Sequence, residues 1–174
     1  MKIKTVFWGL AMAGVLASCS GAKLSVANEQ YARGEYYDAA QTYRKVYGKT
    51  NPRKERKLRG EIAFKMGECY RRINMAPRST AAYQNAIRYD YPDSMALFYL
   101  ARSQQFEGKY KEAIKNYQAF LETNPLSTLA KNGIRGCNLA TQWKENPTRY
   151  VVKKATILNS RRSDFSPMYL GTDY

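Results

Sequence analysis

Apolar residues recur at helical spacing along most of the chain, from about Glu29 to Trp143. The pattern is clearest in the segment Ser94–Ser127. It predicts two helices joined by a turn, because small and apolar residues repeat every three or four positions on both sides of a glycine. The first helix carries Leu97, Leu100 and Ala101, the turn Gly108 and Tyr110, and the second helix Ala113, Tyr117 and Phe120, before Pro125 ends it.

The same arrangement occurs twice more towards the N-terminus. One copy lies one repeat period, about 34 residues, before this segment. In it Asn74 takes the place of the turn glycine, and Pro77 opens the second helix. Asparagine tolerates the left-handed turn conformation, and proline suits a first helical turn. Its positions are Ala63, Met66, Gly67, Tyr70, Ser79, Tyr83 and Ala86, with Pro92 closing one residue late. A further copy precedes it by a slightly longer interval, at Ala27, Gly34, Tyr36, Ala39, Tyr43 and Val46, followed by Pro52.

The difference between the two intervals predicts an insertion of about six residues within Lys49–Arg59, given the nearly fixed period of such repeats. Beyond the third hairpin, Ser127–Trp143 predicts one more helix, with Leu129, Ile134, Leu139 and Ala140 apolar. Such a helix would cap the open face of the last hairpin. The predicted fold is therefore all-α, with about three helical hairpins and a capping helix over residues 28–146. A period near 34 with these small and aromatic positions resembles the tetratricopeptide repeat, which implies a scaffold that binds other proteins.

The composition changes after Asn146-Pro147, where Thr148–Val152 is rich in residues that favour β-strands. Residues 155–158 are also rich in residues that favour β-strands, so the sequence predicts that helix is replaced by strand here. One or two strands cannot bury a face by themselves. We therefore expect residues 147–174 to be a short β-forming tail that cannot form a domain by itself.

The N-terminus resembles a bacterial lipoprotein signal. Lys2 and Lys4 precede an apolar run from Val6 to Leu16, which is too short to span a bilayer. The run ends in Leu16-Ala17-Ser18-Cys19, a match to the lipobox, and the alternative is an ordinary signal peptide with a chance cysteine. The resemblance implies cleavage after residue 18, diacylglycerol and N-acyl lipid (palmitate) on Cys19, and a linker over residues 19–27. No other cofactor is expected.

The same resemblance predicts the compartment. No acidic residue follows Cys19, so the retention signal of enteric inner-membrane lipoproteins is absent, and the periplasmic face of the outer membrane is favoured. The two or three acyl chains of such a cysteine anchor a protein stably. The predicted attachment to the membrane is through the lipid only.

Charge is strongly positive, at +15 for the whole chain and +13 without Lys2 and Lys4. In a cytosolic protein this would suggest nucleic acid, but the predicted compartment excludes that partner. Acidic proteins, lipid headgroups or cell-wall material fit better. Within Lys49–Arg59, six basic residues face the single Glu55, which indicates either an electrostatic patch for an acidic partner or a solvated linker and helix start.

Cysteine and histidine usage excludes further chemistry. Cys69 and Cys137 are separated by two full repeat periods, and so occupy equivalent positions on separate repeats. Helices that pack about 8–10 Å apart hold such residues beyond disulfide reach, so two buried thiols are predicted. The chain has no histidine, which removes the commonest general base and metal ligand. An enzyme or a metal site is therefore not expected.

Repeat arrays of this kind bind partners in a concave groove, on first-helix residues that follow the packing positions. Aromatic and arginine residues there are typical of interface anchors. The alternative is that the phenylalanines pack against neighbouring helices and the arginines are ordinary solvated charges. The candidate partner-binding residues, called the first-helix row below, are Asn28, Tyr31, Phe64, Glu68, Arg71, Arg72, Phe98, Arg102, Gln105 and Phe106.

Chaperone-type repeats that clamp a C-terminal carboxylate use lysine and asparagine at some of these positions. This chain has Phe64, Glu68, Phe98 and Arg102 there instead. The resemblance to tetratricopeptide repeats therefore does not imply that specificity.

The order of features resembles the N-terminal region of large outer-membrane lipoproteins of Bacteroidetes. It comprises a lipobox, helical repeats, Asn-Pro-Thr-Arg-Tyr at 146–150 and Asn-Ser-x-x-Ser-Asp-Phe-x-Pro at 159–167. In that family a β-propeller and an OmpA-like peptidoglycan-binding domain follow, which implies that residues 147–174 are the start of a truncated β-propeller. The resemblance implies a component of type IX secretion, with other secretion subunits as partners and peptidoglycan bound only by a domain absent from this sequence. A barrel-assembly lipoprotein is the alternative within the class, and a cell-wall enzyme the alternative outside it.

Overall fold

A computed structural model describes residues 23–150, and the predicted signal and Cys19 lie outside them. The described part is all-helical, as the apolar spacing predicts, with no strand. Its helices are α1 Leu24–Ala32, α2 Tyr36–Lys49, α3 Arg56–Arg72, α4 Ala76–Arg88, α5 Met95–Phe106, α6 Tyr110–Thr123 and α7 Thr128–Glu145. None of the helices in this range is long and apolar enough to cross a membrane.

The helices pair into three hairpins, α1–α2, α3–α4 and α5–α6, whose turns have the same construction. Gly34, Asn74 and Gly108 have φ angles of +79°, +56° and +74°, which confirms that asparagine replaces the turn glycine. In each turn the residue after this position donates its N–H to the carbonyl five residues back, at 2.9 Å. This bond is the helix-ending Schellman type, and it satisfies a carbonyl that the helix leaves free.

The extra residues of the Lys49–Arg59 segment mainly lengthen α3. Gly67 and Ala101 occupy equivalent positions, yet α3 has 17 residues and begins eleven before Gly67, whereas α5 has 12 and begins six before Ala101. The insertion therefore adds about one and a half turns to the N-terminus of α3. At the chain's own N-terminus, α1 begins at Leu24, inside the predicted linker, because Leu24 and Ala27 pack onto the first core cluster.

The core divides into two clusters of buried residues built from alanine and aromatic side chains. One joins α1 to α4 and contains Tyr43, Cys69 and Tyr70, and the other contains Phe98, Tyr117, Phe120 and Cys137. Cys69 and Cys137 are fully buried thiols in different clusters, as their spacing predicts. Burial raises the pKa of Cys69 to about 12, so it is a neutral, unreactive thiol.

Among the described residues, those up to Asn138 form one compact unit, and those from Leu139 belong to a second. The second contains the end of α7, which stops at Glu145. Residues 146–150 have no regular structure. The rest of the predicted β-forming tail, residues 151–174, lies outside the described range, so the β-domain stays a prediction.

Candidate protein-interaction surface

In each hairpin, a buried tyrosine of the second helix donates a hydrogen bond to a polar side chain of the first helix. Tyr43 donates to Oδ1 of Asn28 at 2.7 Å, and Tyr83 donates to Oε1 of Glu68 at 2.6 Å. Asn28 and Glu68 occupy equivalent repeat positions. The third equivalent is Arg102, which has no acceptor atom, and Tyr117 donates instead to Oε1 of Gln105 at 2.9 Å, one helical turn further. The first-helix row is therefore tied to the hairpin core by one hydrogen bond per repeat.

Glu68 is the buried carboxylate of the row that pairs with its neighbouring arginines. It is 6% exposed and accepts two hydrogen bonds from Arg71, at 2.8 and 3.1 Å, with Arg72 3.9 Å away. Burial alone would raise the pKa of this carboxyl, but the bonds from Arg71 and Tyr83 lower it below its usual range. Burial also raises the pKa of Tyr83, which stays a neutral donor. Glu68 is thus a buried anion that fixes the two arginines above it.

These two arginines lie over tyrosine rings on three neighbouring helices. The guanidinium of Arg71 is 4.5 Å from the ring centre of Tyr99. That of Arg72 is 4.9 Å from Tyr36 and 5.8 Å from Tyr31, and it donates to the Tyr36 hydroxyl at 3.2 Å. Cation–π contacts of this kind hold a guanidinium in place. We call these five residues, Tyr31, Tyr36, Arg71, Arg72 and Tyr99, the arginine–tyrosine surface.

The phenylalanines of the row differ in their exposure. Phe98 is 6% exposed and packs on Phe120, with ring centres 5.3 Å apart, so it follows the core-packing alternative. Phe64 is half-buried and stacks on Tyr91 at 4.3 Å. Phe106, in contrast, is 73% exposed at the end of α5. Of the three rings, Phe106 is the one fully open to a partner.

The rest of the row is mixed. Asn28, Arg72 and Arg102 are exposed, whereas Tyr31, Arg71 and Gln105 are half-buried. Arg71 and Arg72 are not simply solvated, because both pair with Glu68, whereas the exposed Arg102 fits the solvated alternative. Glu68 and Phe98 act beneath the surface rather than on it.

Two members of the arginine–tyrosine surface are absent from the sequence prediction, Tyr36 and Tyr99. Tyr36 begins α2, a second helix, and it approaches the row because the tight turn at Gly34 brings the start of α2 beside α1. Tyr99 follows Phe98 on α5, at the position equivalent to Lys65. That lysine is itself 4.6 Å from the ring centre of Tyr31, so the position contacts the neighbouring hairpin in both repeats. The contact at Lys65 is known only from the structure, so sequence alone held no separate signal for Tyr99.

No group of histidine, cysteine, aspartate or glutamate side chains within residues 23–150 is arranged to hold a metal ion. The hydrogen bonds and ring contacts of the row instead define an array of helical hairpins with a fixed basic and aromatic surface.

Comparison with known proteins gives the same fold. Residues 95–127 match the tetratricopeptide repeat family, which agrees with the unit Ser94–Ser127. Among solved structures, the chain is similar to the C-terminal tetratricopeptide domain of an FK506-binding protein of Plasmodium falciparum, with a TM-score of 0.58 and 16% identity over 70% of this chain and 87% of that one. The fold is thus that of a tetratricopeptide-repeat domain.

Two further structures have the same architecture. The first tetratricopeptide domain of Spaghetti (RPAP3), bound to an HSP90 peptide, has a TM-score of 0.55 and 20% identity over 74% of this chain and 99% of that one. The Sgt2 domain of Aspergillus fumigatus has a TM-score of 0.55 and 18% identity over 75% and 86%. No curated protein matches the chain in sequence.

Proposed function

We propose that this chain is a lipid-anchored protein of the outer membrane, on the periplasmic face, whose helical domain is a protein–protein interaction scaffold. The arginine–tyrosine surface carries the scaffold part of the proposal, and the lipid anchor and its location rest on the lipobox at residues 16–19. Arginine and tyrosine dominate the energetics of protein interfaces. Because Glu68 and the tyrosine rings already hold the guanidinium groups, little side-chain entropy is lost when a partner binds.

The exposure of the row indicates the chemistry of the partner. Arg71 is neutralised by Glu68, whereas Arg72 and Arg102 are exposed and Phe106 presents an open ring. A partner segment with acidic groups for the arginines and an apolar residue for Phe106 fits this arrangement. The HSP90 peptide bound by the Spaghetti domain supports peptide recognition by this fold. A clamp for a C-terminal carboxylate is not proposed, since Phe64, Glu68, Phe98 and Arg102 replace its polar residues.

The order of sequence features supports a finer proposal. A lipobox, helical repeats and the motifs at 146–150 and 159–167 resemble the PorE type of Bacteroidetes lipoprotein in type IX secretion. Its partners would be other secretion-system subunits in the periplasm or outer membrane. In proteins of that type, peptidoglycan is bound by an OmpA-like domain. A barrel-assembly lipoprotein is the alternative, which the predicted β-forming tail disfavours.

The proposal is tested by capture of partners from envelope extracts. The row variant Arg72→Ala/Arg102→Ala/Phe106→Ala removes two exposed charges and one exposed ring. The matched control Lys115→Ala/Lys131→Ala/Leu126→Ala removes two exposed charges and a leucine that is 87% exposed. We expect the row variant alone to lose the partners that mass spectrometry identifies with the wild type. Identical profiles for the row variant and the wild type would contradict the proposed surface.

The identity of the captured proteins separates the finer alternatives. Secretion subunits support the type IX assignment, and barrel-assembly subunits support the alternative. Wall fragments released by the purified chain would instead indicate the enzyme class.

A further inference from the structure

A second basic surface lies at the opposite end of α3 from Arg71 and Arg72 of the arginine–tyrosine surface. It consists of Lys49, Arg53, Lys54 and Lys57, and we call it the basic patch. All four side chains are exposed. Arg71 of the arginine–tyrosine surface is fourteen residues after Lys57 on α3, so these two residues are about 21 Å apart along the helix. The basic patch is therefore separate from the proposed partner-binding surface.

The backbone that carries the basic patch is held by its own hydrogen bonds. Oδ1 of Asn51 accepts the N–H groups of Arg53 and Lys54 at 2.9 and 3.0 Å. Oε2 of Glu55 accepts the N–H of Asn51 at 2.6 Å. The segment is therefore a hydrogen-bonded turn that leads into the start of α3.

A neighbouring arginine fastens the same segment to the helices. The guanidinium of Arg59 donates to the carbonyls of Tyr47 and Thr50 at 2.8 and 2.7 Å, and it lies 3.9 Å from the ring centre of Tyr47. Arg56 pairs with Asp90 and donates to the carbonyl of Arg88. Arg56 and Arg59 thus bond to groups of the protein itself, and they hold the segment in a defined conformation.

The basic patch carries a net positive charge, because its four cations have only Glu55 as an acid within their own segment. In the part of the chain that the structure describes, none of its four side chains joins an ion pair. The nearby acids are engaged, Glu55 with a backbone N–H and Asp90 with Arg56. Glu55 is the N-cap residue of α3, but the first turn itself contains no acidic residue, so three basic side chains lie beside the positive end of the helix dipole. This arrangement costs stability at low salt unless an anion is bound.

The composition of the basic patch decides between two kinds of anionic partner. Specific protein interfaces have aromatic or apolar anchors near their centre. The exposed large hydrophobic residues of the described chain all lie outside 49–57, and the Tyr47 ring is covered by Arg59. Three of the four basic residues are lysines, which act as flexible point charges. Clusters of this size and type bind anionic lipid headgroups.

We propose that the basic patch binds the anionic headgroups of a phospholipid surface. The rigid segment presents four cations together, and the headgroups supply the counter-charge that the fold lacks. This contact is additional to the predicted lipid on Cys19 and does not depend on it. It is purely electrostatic, so it weakens as salt shortens the range of the attraction.

Amine footprinting of the full chain tests the proposal, because it reports on individual lysines however the rest of the chain attaches. The probes are vesicles of phosphatidylcholine with and without phosphatidylglycerol. We expect labelling of Lys49, Lys54 and Lys57 to fall severalfold with phosphatidylglycerol only. Lys111, Lys115 and Lys131, which are also exposed, serve as internal controls and should label at an unchanged rate. Equal labelling of the patch lysines with both vesicles would overturn the proposal, and so would equal protection of the controls.

A pair of charge-matched variants gives an independent measurement. Lys49→Gln/Lys54→Gln/Lys57→Gln and Lys111→Gln/Lys115→Gln/Lys131→Gln lower the net charge equally. The ratio of binding to charged and neutral vesicles should fall about a hundredfold at low salt in the first variant, from about fivefold per lysine near the surface, and only a few fold in the second. Equal losses would assign the effect to net charge and overturn the proposal. Protection of the patch lysines by polyglutamate but not by phosphatidylglycerol would assign the basic patch to an acidic protein instead.

Discussion

At Gly67 the two helices of the second hairpin pack too closely to admit a side chain. A Cβ atom added there would lie 2.6 and 2.7 Å from Cε1 and Cδ1 of Tyr83, whereas ordinary contacts begin at 3.4 Å. The Tyr83 ring is fully buried, and its hydroxyl is bonded to Glu68. It cannot tilt away without breaking that bond. Gly67→Ala therefore forces α3 and α4 apart or displaces a residue that supports the arginine–tyrosine surface.

Two opposing effects set the size of the change. Replacing glycine by alanine inside a helix stabilises by about 1 kcal/mol. Overpacking a core costs roughly 1–3 kcal/mol, and an overlap of this size against a fixed ring belongs at the upper end. We expect Gly67→Ala to lower the free energy of unfolding by about 2 kcal/mol, which for a domain of this size lowers Tm by roughly 5–10 °C.

Thermal and urea unfolding followed by circular dichroism measure this change. Gly48→Ala is the matched control, because Gly48 is also helical and a Cβ there meets nothing within 4 Å. The control should gain up to about 1 kcal/mol from helix propensity. If Gly67→Ala is as stable as the wild type while Gly48→Ala is stabilised, the steric argument at Tyr83 is wrong.

The remaining predictions concern Glu68 and Cys19. Glu68→Gln should cost about 1–2 kcal/mol, because the amide can still accept from Tyr83 but loses its charged bonds to Arg71. Since the pKa of Glu68 is lowered in the folded state, its contribution is present above the ordinary value of 4.5 and is lost as pH falls through the lowered pKa. The difference in the free energy of unfolding between wild type and variant, measured with urea, should therefore shrink as pH falls through the lowered pKa. A difference that does not change with pH would contradict the charge argument. Cys19→Ser should abolish incorporation of labelled palmitate in cells, and labelling that persists would exclude Cys19 as the lipid site.

The repeat architecture could be predicted because each of its signals is local in sequence. Small residues permit close helix packing, and glycine or asparagine adopts the left-handed turn. Gly34, Asn74 and Gly108 fulfil that role in the structure. The Lys49–Arg59 segment was harder, because a basic run does not reveal whether it forms a loop or extends a helix. The segment forms a hydrogen-bonded turn and also extends a helix, because α3 starts at Arg56 and the turn precedes it.

The first-helix row was predicted by position alone, and the structure divides it. Glu68 and Phe98 are on the expected helices but buried, while Phe106 is exposed. Helical spacing gives the direction of a side chain from its own axis. It does not give the distance to the next helix, on which exposure depends.

The buried tyrosines show what the sequence determines and what the tertiary structure determines. Their positions follow from the sequence, and their contacts follow from the packing of the helices. By itself, the sequence determined a chain of helical hairpins with a tyrosine in each second helix. Tertiary packing decided that Tyr83 contacts Gly67 of its own hairpin, whereas Tyr117 contacts Gly133 of the following helix. It also brought Tyr36 and Tyr99 to the arginines of α3. The physical reason is that period and composition are properties of single helices, but these contacts depend on how closely two helices approach, which the whole set of packed side chains determines together.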